Sequence, residues 1–402
     1  MRTQFILLIF MFFGLYYLNA QTMNFWTKKS DFTGLKRTRA VSFTVDDYAY
    51  VGTGVDTAEQ VRNDFWKYDP ILDTWTQVAN LPGSARRNAV AFSAGAYGYV
   101  GTGMSHEQSS FGTTLSDFWR YDPASNTWTS IANYPGNFGN GIYFATAFSV
   151  DGKGYVCCGK AGPNAYRSDL WEYNPASNSW SPRANFPGGV RYQLASFTIN
   201  NSAFVGLGTD NDMYRDDIWE YKPSNNLWIQ RSSLPASERS GAATFTIDQR
   251  GYVCMGNNGG LLDDLWEYNP YEDHWEVRDN YSGSRRKWAV GFTLLGNGYV
   301  GLGDGYSGKK QSMYMYTPLE GLSIDENQFT VNVFPNPSST LVSIQSDTQL
   351  DELRFYDFAG RIQLLSYQTS QIDVSTLADG NYILAAFREG SLIAKTQISV
   401  KK

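Results

Sequence analysis

The chain has 402 residues, 16% of them aromatic, with 38 glycines, only 18% charged residues and a net charge of −6. Low charge with many aromatics excludes a disordered chain and points to β-rich globular structure. The negative balance excludes the basic footprint of a nucleic-acid-binding protein. Three cysteines are too few for a disulfide framework.

The N-terminus reads as a processing signal. Arg2 precedes fourteen apolar residues, FILLIFMFFGLYYL, and then NAQ. That run is short for a bilayer span and has the form of a secretory signal peptide over residues 1–20. Leu18, at the position three before the expected cut after Ala20, fits less well than alanine would, and no cysteine stands nearby for a lipid anchor. No later run reaches eighteen apolar residues, so no transmembrane segment is predicted in the mature chain.

From residue 21 to 318 the chain repeats. NDFWKYDPILDTW at 63 returns as SDFWRYDPASNTW, SDLWEYNPASNSW, DDIWEYKPSNNLW and DDLWEYNPYEDHW. Their second tryptophans, Trp75, Trp128, Trp180, Trp228 and Trp275, are 53, 52, 48 and 47 residues apart. A partner pattern, AVSFTVDDYAYVGTG and its equivalents, occurs six times. Each period reads as four short strands. An alternating AVSFTV-like strand turns into AYVGTG; a variable loop leads to DFWKYD, and a turn at Asp-Pro leads to TWTQVA. A single four-stranded sheet cannot cover both its faces, and repeats of this length solve that by packing radially as propeller blades. The second-strand glycines are expected where that strand crowds the axis.

The sixth unit ends at Pro318 without its tryptophan strand, whereas NFWTKKSDFTGLKR, residues 24–37, aligns with the missing piece and carries Trp26. The predicted fold class is all-β. It comprises a six-bladed propeller closed by the N-terminal strand and a small C-terminal β-sandwich.

Two patterns carry a resemblance. YVGTG … DFWKYDP … TW resembles the kelch motif, with Gly-Gly relaxed to Gly-x-Gly, over residues 23 to about 318. After a linker at 319–328, residues 329–402 alternate apolar and polar positions through about seven strands. FPNPSS from Phe334, YDFAGR from Tyr356, and LADGNYIL from Leu377 with the closing Lys401–Lys402 resemble the type A sorting domain of the Gram-negative type IX secretion system. That resemblance implies export through the periplasm and engagement of the type IX machinery by residues 329–402. Removal of the domain would follow, leaving the protein secreted or on the outer cell surface. The alternative is an ordinary appended binding sandwich.

The repeat register marks candidate site residues. Thirteen residues before the second-strand aromatics stand Arg37, Arg86, Ile142, Arg191, Arg239 and Arg286. The kelch consensus carries arginine there, which implies a structural role. The next two positions vary from blade to blade and include Arg39, Arg87, Asn88, Tyr143, Phe144, Tyr192, Gln193, Lys287 and Trp288, with no acid among them. In peptide-binding kelch propellers the matching positions contact ligand. Cations attract carboxylates, and aromatics stack on sugar faces or apolar peptide groups. The expected ligand is therefore an anionic glycan or a protein segment at the axial channel mouth, with solvated core filling as the plain alternative. The loops between second and third strands also vary, from NNGGLLD to MSHEQSSFGTTLS, and their direction is left open.

Catalytic signals are thin. His106 and His274 lie in different repeats, no spacing makes a metal site, and no cofactor or catalytic residue is assigned. Two histidines do not furnish the site of the kelch copper radical oxidases. Glu238 beside Arg239 is the best acid for the alternative reading, a sugar-acid enzyme such as a sialic-acid mutarotase. A structural surface protein is the third reading. DND at 210–212 lacks the glycine and glutamate of an EF-hand loop. Cys157 and Cys254 stand where other repeats have glycine and read as small buried residues, with a vicinal Cys157–Cys158 bridge as the other possibility.

Overall fold

Strict alternation makes the first strand of each repeat. In Val41–Val45, Val41, Phe43 and Val45 are buried while Ser42 and Thr44 are half-buried on the other face. This period-two pattern recurs in all six repeats. The computed structural model describes residues 25–105, 113–136, 139–210, 213–318, 331–346, 349–356, 362–367, 370–388 and 391–402. The expected signal peptide and linker lie outside the described residues.

Six antiparallel four-stranded sheets form the propeller region. Blade one runs Val41–Val45, Tyr48–Gly52, Phe65–Asp69 and Thr74–Val78. Blades two to five repeat that order from Val90–Ala94, Thr146–Val150, Ala195–Ile199 and Ala243–Ile247. Blade six takes Val290–Leu294, Asn297–Gly301 and Met313–Thr317 from one end of the chain and Phe25–Lys29 from the other. Trp26 pairs with Tyr316 and Lys28 with Tyr314, so the N-terminal strand completes the last blade as the repeat alignment requires.

The first strand, not the second, is innermost. Hydroxyls on its half-buried face donate to carbonyls of the preceding blade's first strand, as in Ser42 Oγ to Gly291 (3.1 Å), Thr244 Oγ1 to Ser196 (2.7 Å) and Thr293 Oγ1 to Thr246 (2.7 Å). The second-strand glycines answer to a different crowding, between blades. A Cβ on Gly98 would strike the Phe43 ring of blade one, and one on Gly101 would strike Phe118 of its own third strand. The cysteines fit the same packing, although Gly206 and Gly301 keep glycine opposite Ile218 and Met313. Gly52 and Gly101 pair with Phe65 and Phe118, whereas Cys157 and Cys254 pair with the smaller Leu170 and Leu265. Volume lost on one strand is returned on its neighbour, as close packing demands.

Adjacent blades are held by the repeated tryptophan. Its indole N–H donates to a carbonyl of the preceding blade's outer edge at 2.8–3.2 Å in all six cases, from Trp26 to Asp279 through Trp275 to Ser232. A second bond runs alongside at five interfaces. The Asn or Asp three residues after the turn proline (Asp73, Asn126, Asn178, Asn226, Asp273) accepts a backbone N–H from the neighbour and a tyrosine O–H from its own blade. A half-buried indole needs such a partner for its one donor.

Residues 331–400 form seven further strands in two sheets. One holds Val331–Phe334, Leu341–Ser346 and Gln371–Asp373. The other holds Ile362–Ser366, Glu352–Tyr356, Gly380–Arg388 and Ser391–Val400. They share a separate core that includes Val342, Leu353, Phe355, Ile372, Leu384 and Ile398. Among the described residues no helix is long and apolar enough to cross a membrane.

Candidate functional site

The arginines thirteen residues before the second-strand aromatics are internal struts. Arg37, Arg86, Arg191 and Arg239 are almost wholly buried, and each bonds through both terminal nitrogens to the aspartate two residues before the third-strand tryptophan (Asp64, Asp117, Asp217, Asp264). Burial raises the carboxyl pKa of Asp64, Asp117 and Asp264, but the guanidinium bonds outweigh it and hold all three below the usual carboxylate range. Arg286 finds Ser312 in that place instead. In blade three, where Ile142 replaces the arginine, Asp169 turns to Arg167 and Tyr134. These side chains are occupied within the blade and do not serve a ligand.

Two residues further on, the chain makes a closed circle. Arg39, Asn88, Phe144, Gln193, Gly241 and Trp288 all adopt left-handed backbone, with φ between 54° and 62°. Each N–H donates to the carbonyl of its counterpart in the preceding blade, at 2.9–3.2 Å, and Arg39 closes the cycle onto Trp288. Main-chain groups alone hold this ring, so its side chains are free to differ. They line a cavity of about 120 Å³ on the axis, floored by Ala40, Ala145, Leu194, Ala242 and Ala289. The space is small beside the roughly 300–1,000 Å³ of a typical small-molecule pocket. Its volume is that of a carboxylate or a short side chain, not of a whole small molecule.

Across the mouth the Arg39 guanidinium lies 4.0 Å from the Trp288 ring and 5.6 Å from Phe144. Lys287 covers the same indole at 4.2 Å. Gly241 seats that indole, since a Cβ there would stand 2.6 Å from Trp288 Cδ1. Burial, reinforced by nearby Arg87 and opposed by Asp304 and Glu59, lowers the Arg39 pKa to about 10. Burial likewise lowers Lys287, with Asp304 opposing and Arg39 reinforcing the shift. Four side-chain polar atoms at this mouth are buried without a partner among the described residues: Arg39 Nε, Arg87 Nε, Asn88 Oδ1 and Trp288 Nε1. Asn88 itself is only 8% exposed.

Of the nine candidate residues, Arg39, Asn88, Phe144, Gln193 and Trp288 line the axial cavity. Arg87, Tyr143, Tyr192 and Lys287 sit one residue earlier, where the backbone pairs outward with the loops between second and third strands. Those loops therefore turn toward the mouth. Met104, Lys160, Thr209 and Asp304 stand opposite Arg87, Tyr143, Tyr192 and Lys287, each seventeen residues further along the chain. Two mouth groups were missed in the sequence. Asp304 brings an acid opposite Lys287, although the ring itself has none. Lys160 lies over Tyr143, Tyr166 and Tyr192 at 5.9, 4.9 and 4.7 Å. The constant seventeen-residue spacing was the available signal. Glu238 and His274 are exposed; His106 and residues 211–212 lie outside the described residues. Among the described residues no group of three or more His, Cys, Asp or Glu is placed to hold a metal ion.

A closed ring of six such blades, with Arg–Asp struts and tryptophan staples, is a kelch-type propeller. Residues 103–133 match the family profile of the kelch motif, and residues 332–401 match that of the secretion system C-terminal sorting domain. The solved structure of YjhT aligns with a TM-score of 0.60 at 16% identity, covering 78% of this chain and 99% of YjhT, which shows a shared fold alone. No curated protein matches the chain. The protein is a kelch propeller carrying a type IX secretion sorting domain, a secreted or cell-surface protein of a Gram-negative bacterium that engages the secretion machinery through that domain.

Proposed function

We propose that the exported propeller is a binding protein that captures an anionic ligand, a carboxylate-bearing glycan or an acidic protein segment, at the axial mouth. The observation that carries this reading is the set of unpartnered buried polar atoms around the Arg39–Trp288 stack. Arg39 and Arg87 make no ion pair among the described residues, whereas four of the five core arginines hold an aspartate with two nitrogens. A guanidinium stacked on an indole keeps its edge available, and a carboxylate is the group that edge fits best. On the aromatic side of the mouth the half-buried Phe144 and Tyr166, backed by the buried Tyr143 and Tyr192, offer the surface for a sugar ring or an apolar side chain.

Binding without conversion is favoured over sugar-acid chemistry by the residues of the cavity. Its lining consists of arginine, amides, aromatics and small apolar residues, none of which exchanges a proton near neutral pH. Glycan and acidic-peptide arrays probed with the wild type and with a combined Arg39→Ala, Arg87→Ala, Trp288→Ala variant test this. Capture by the wild type and loss in a folded variant supports the reading. Undiminished capture by the variant moves the site to the outer loops. Exchange of sialic-acid anomers faster than in buffer would instead favour the enzyme.

A further inference from the structure

Cys157 and Cys158 end the crowded stretch of the second strand of blade three, Lys153–Gly162. Successive residues of a strand point to opposite faces, so neighbouring cysteines there should face apart. Here the alternation breaks. Cys158 has φ +65°, and the ladder to the third strand shifts register between Cys157 and Gly159. The two sulfurs are brought to 3.2 Å of each other, and both residues are fully buried. The blade makes this bulge, not the cysteines. Thr53, Thr102, Leu207, Met255 and Leu302 occupy the same place in the other blades with φ between 56° and 62°. The third cysteine, Cys254, is followed by Met255 and is also buried, in blade five.

We propose that Cys157 and Cys158 form a vicinal disulfide in the exported protein. Bond formation needs the sulfurs to close from 3.2 Å to about 2.05 Å. Each thiol loses its hydrogen. The two electrons and two protons pass to the disulfide of an oxidising dithiol catalyst of the periplasm, which leaves as a dithiol, so the exchange balances. Neighbouring Cα atoms stand about 3.8 Å apart, below the usual disulfide range, so the eight-membered ring is strained and relies on the packing around it. That packing comes from blade four, whose Leu194, Ala203, Val205 and Tyr221 join the same cluster as both cysteines. Burial pushes the Cys158 thiol well up, so exchange belongs to the folding chain, before blade four covers blade three. The bond stiffens the root of the hairpin that carries Lys160, whose backbone bonds to Tyr143 at the mouth in both directions.

The test counts thiols in the full-length protein collected after export, quenched in acid and then alkylated in excess in a neutral denaturant, without reductant. One alkylated cysteine, Cys254, is expected, and three after reduction. The unreduced peptide spanning 157–158 should be lighter by two hydrogens with no cross-link to another peptide. A Cys158→Thr variant, which copies blades one and two, should show two alkylated cysteines without reductant and the same fold. Three alkylated cysteines in the unreduced wild type, or any bridge to Cys254, would overturn the proposal.

Discussion

Replacing Arg86 by isoleucine would give blade two the residue that blade three carries naturally at Ile142. Arg86 is fully buried and bonds to Asp117 at 2.6 and 2.8 Å, to the Thr102 carbonyl at 3.1 Å and to the Ser84 carbonyl at 2.9 Å. Removing one partner of a buried ion pair costs about 3–5 kcal/mol, chiefly because the other charge is stranded. Asp117 is 29% exposed and keeps the Trp119 N–H at 2.7 Å, so water and one donor relieve part of this. The expected loss is about 2–4 kcal/mol. Blade three shows the remedy. Asp169 is served by Arg167 two residues earlier, where blade two has Leu115. Adding Leu115→Arg to Arg86→Ile should recover about 0.5–1 kcal/mol, the value of a partly exposed pair, while the same change in the wild type gains nothing. Urea midpoints followed by tryptophan fluorescence at unchanged m measure both terms, and the four proteins form a double-mutant cycle. A loss below about 1 kcal/mol, or zero coupling between the two sites, would refute the strut assignment.

Three further outcomes are expected. Burial raises the Glu172 pKa, but bonds from Arg183, Lys153 and Tyr155 more than offset it and leave it at about 2. A depressed folded value means its contribution is present above the unfolded carboxyl range near 4.3 and is lost as pH falls toward 2. With Lys153 38% and Arg183 31% exposed, solvent screening holds the effect to about 1–2 kcal/mol. Glu172→Gln should therefore flatten the acid limb of stability between pH 4.5 and 2; an unchanged limb contradicts the assignment. Gly241→Ala should weaken ligand capture, because its Cβ displaces the Trp288 indole from Arg39, and should cost about 1–2 kcal/mol of stability for the left-handed backbone; capture at wild-type strength in the folded variant would show that the seat is irrelevant. Capture of a carboxylated oligosaccharide should stay level from pH 6 to 9 and decline as Arg39 deprotonates near pH 10. It should also weaken as salt screens the attraction, so indifference to both pH and salt would remove the charged mouth from the recognition.

The propeller was legible because its determinants are local and repeated. Blade number, strand order and closure by Trp26 followed from spacing alone, and the struts at Arg37, Arg86, Arg191, Arg239 and Arg286 stood out as one column of the alignment. Less legible was which strand lines the axis. The glycines of Tyr97–Gly101 point by sequence to axial crowding, but their constraint comes from Phe43 of the preceding blade and from the facing Phe118. A missing side chain tells of a close approach without saying from which direction. The mouth was half legible. Arg39, Asn88, Phe144, Gln193 and Trp288 share a column and a cavity, whereas Lys160 and Asp304 reach the mouth through a pairing that no single repeat reveals.

A division of labour between main chain and side chain explains why this mouth can differ from blade to blade without loss of the fold. At the strut position the side chain carries the structure, so arginine recurs in five of six blades. Two residues later the backbone carries it, through six N–H to carbonyl bonds that any residue able to adopt the left-handed region can make. Non-glycine residues adopt that region at a cost of about 1–2 kcal/mol each. Arginine, phenylalanine, glutamine and tryptophan accept it here because the cycle and the flanking strands hold them there. The same left-handed backbone recurs at the second-strand bulges and the hairpin turns; what sets the ring apart is that its side chains line the axial cavity. Counted with the residue before each ring position, the mouth carries cations on blades six, one and two (Lys287, Arg39, Arg87) and aromatics on blades three and four (Tyr143, Phe144, Tyr192), with Trp288 on the cationic side and Lys160 on the aromatic side as the crossing pair.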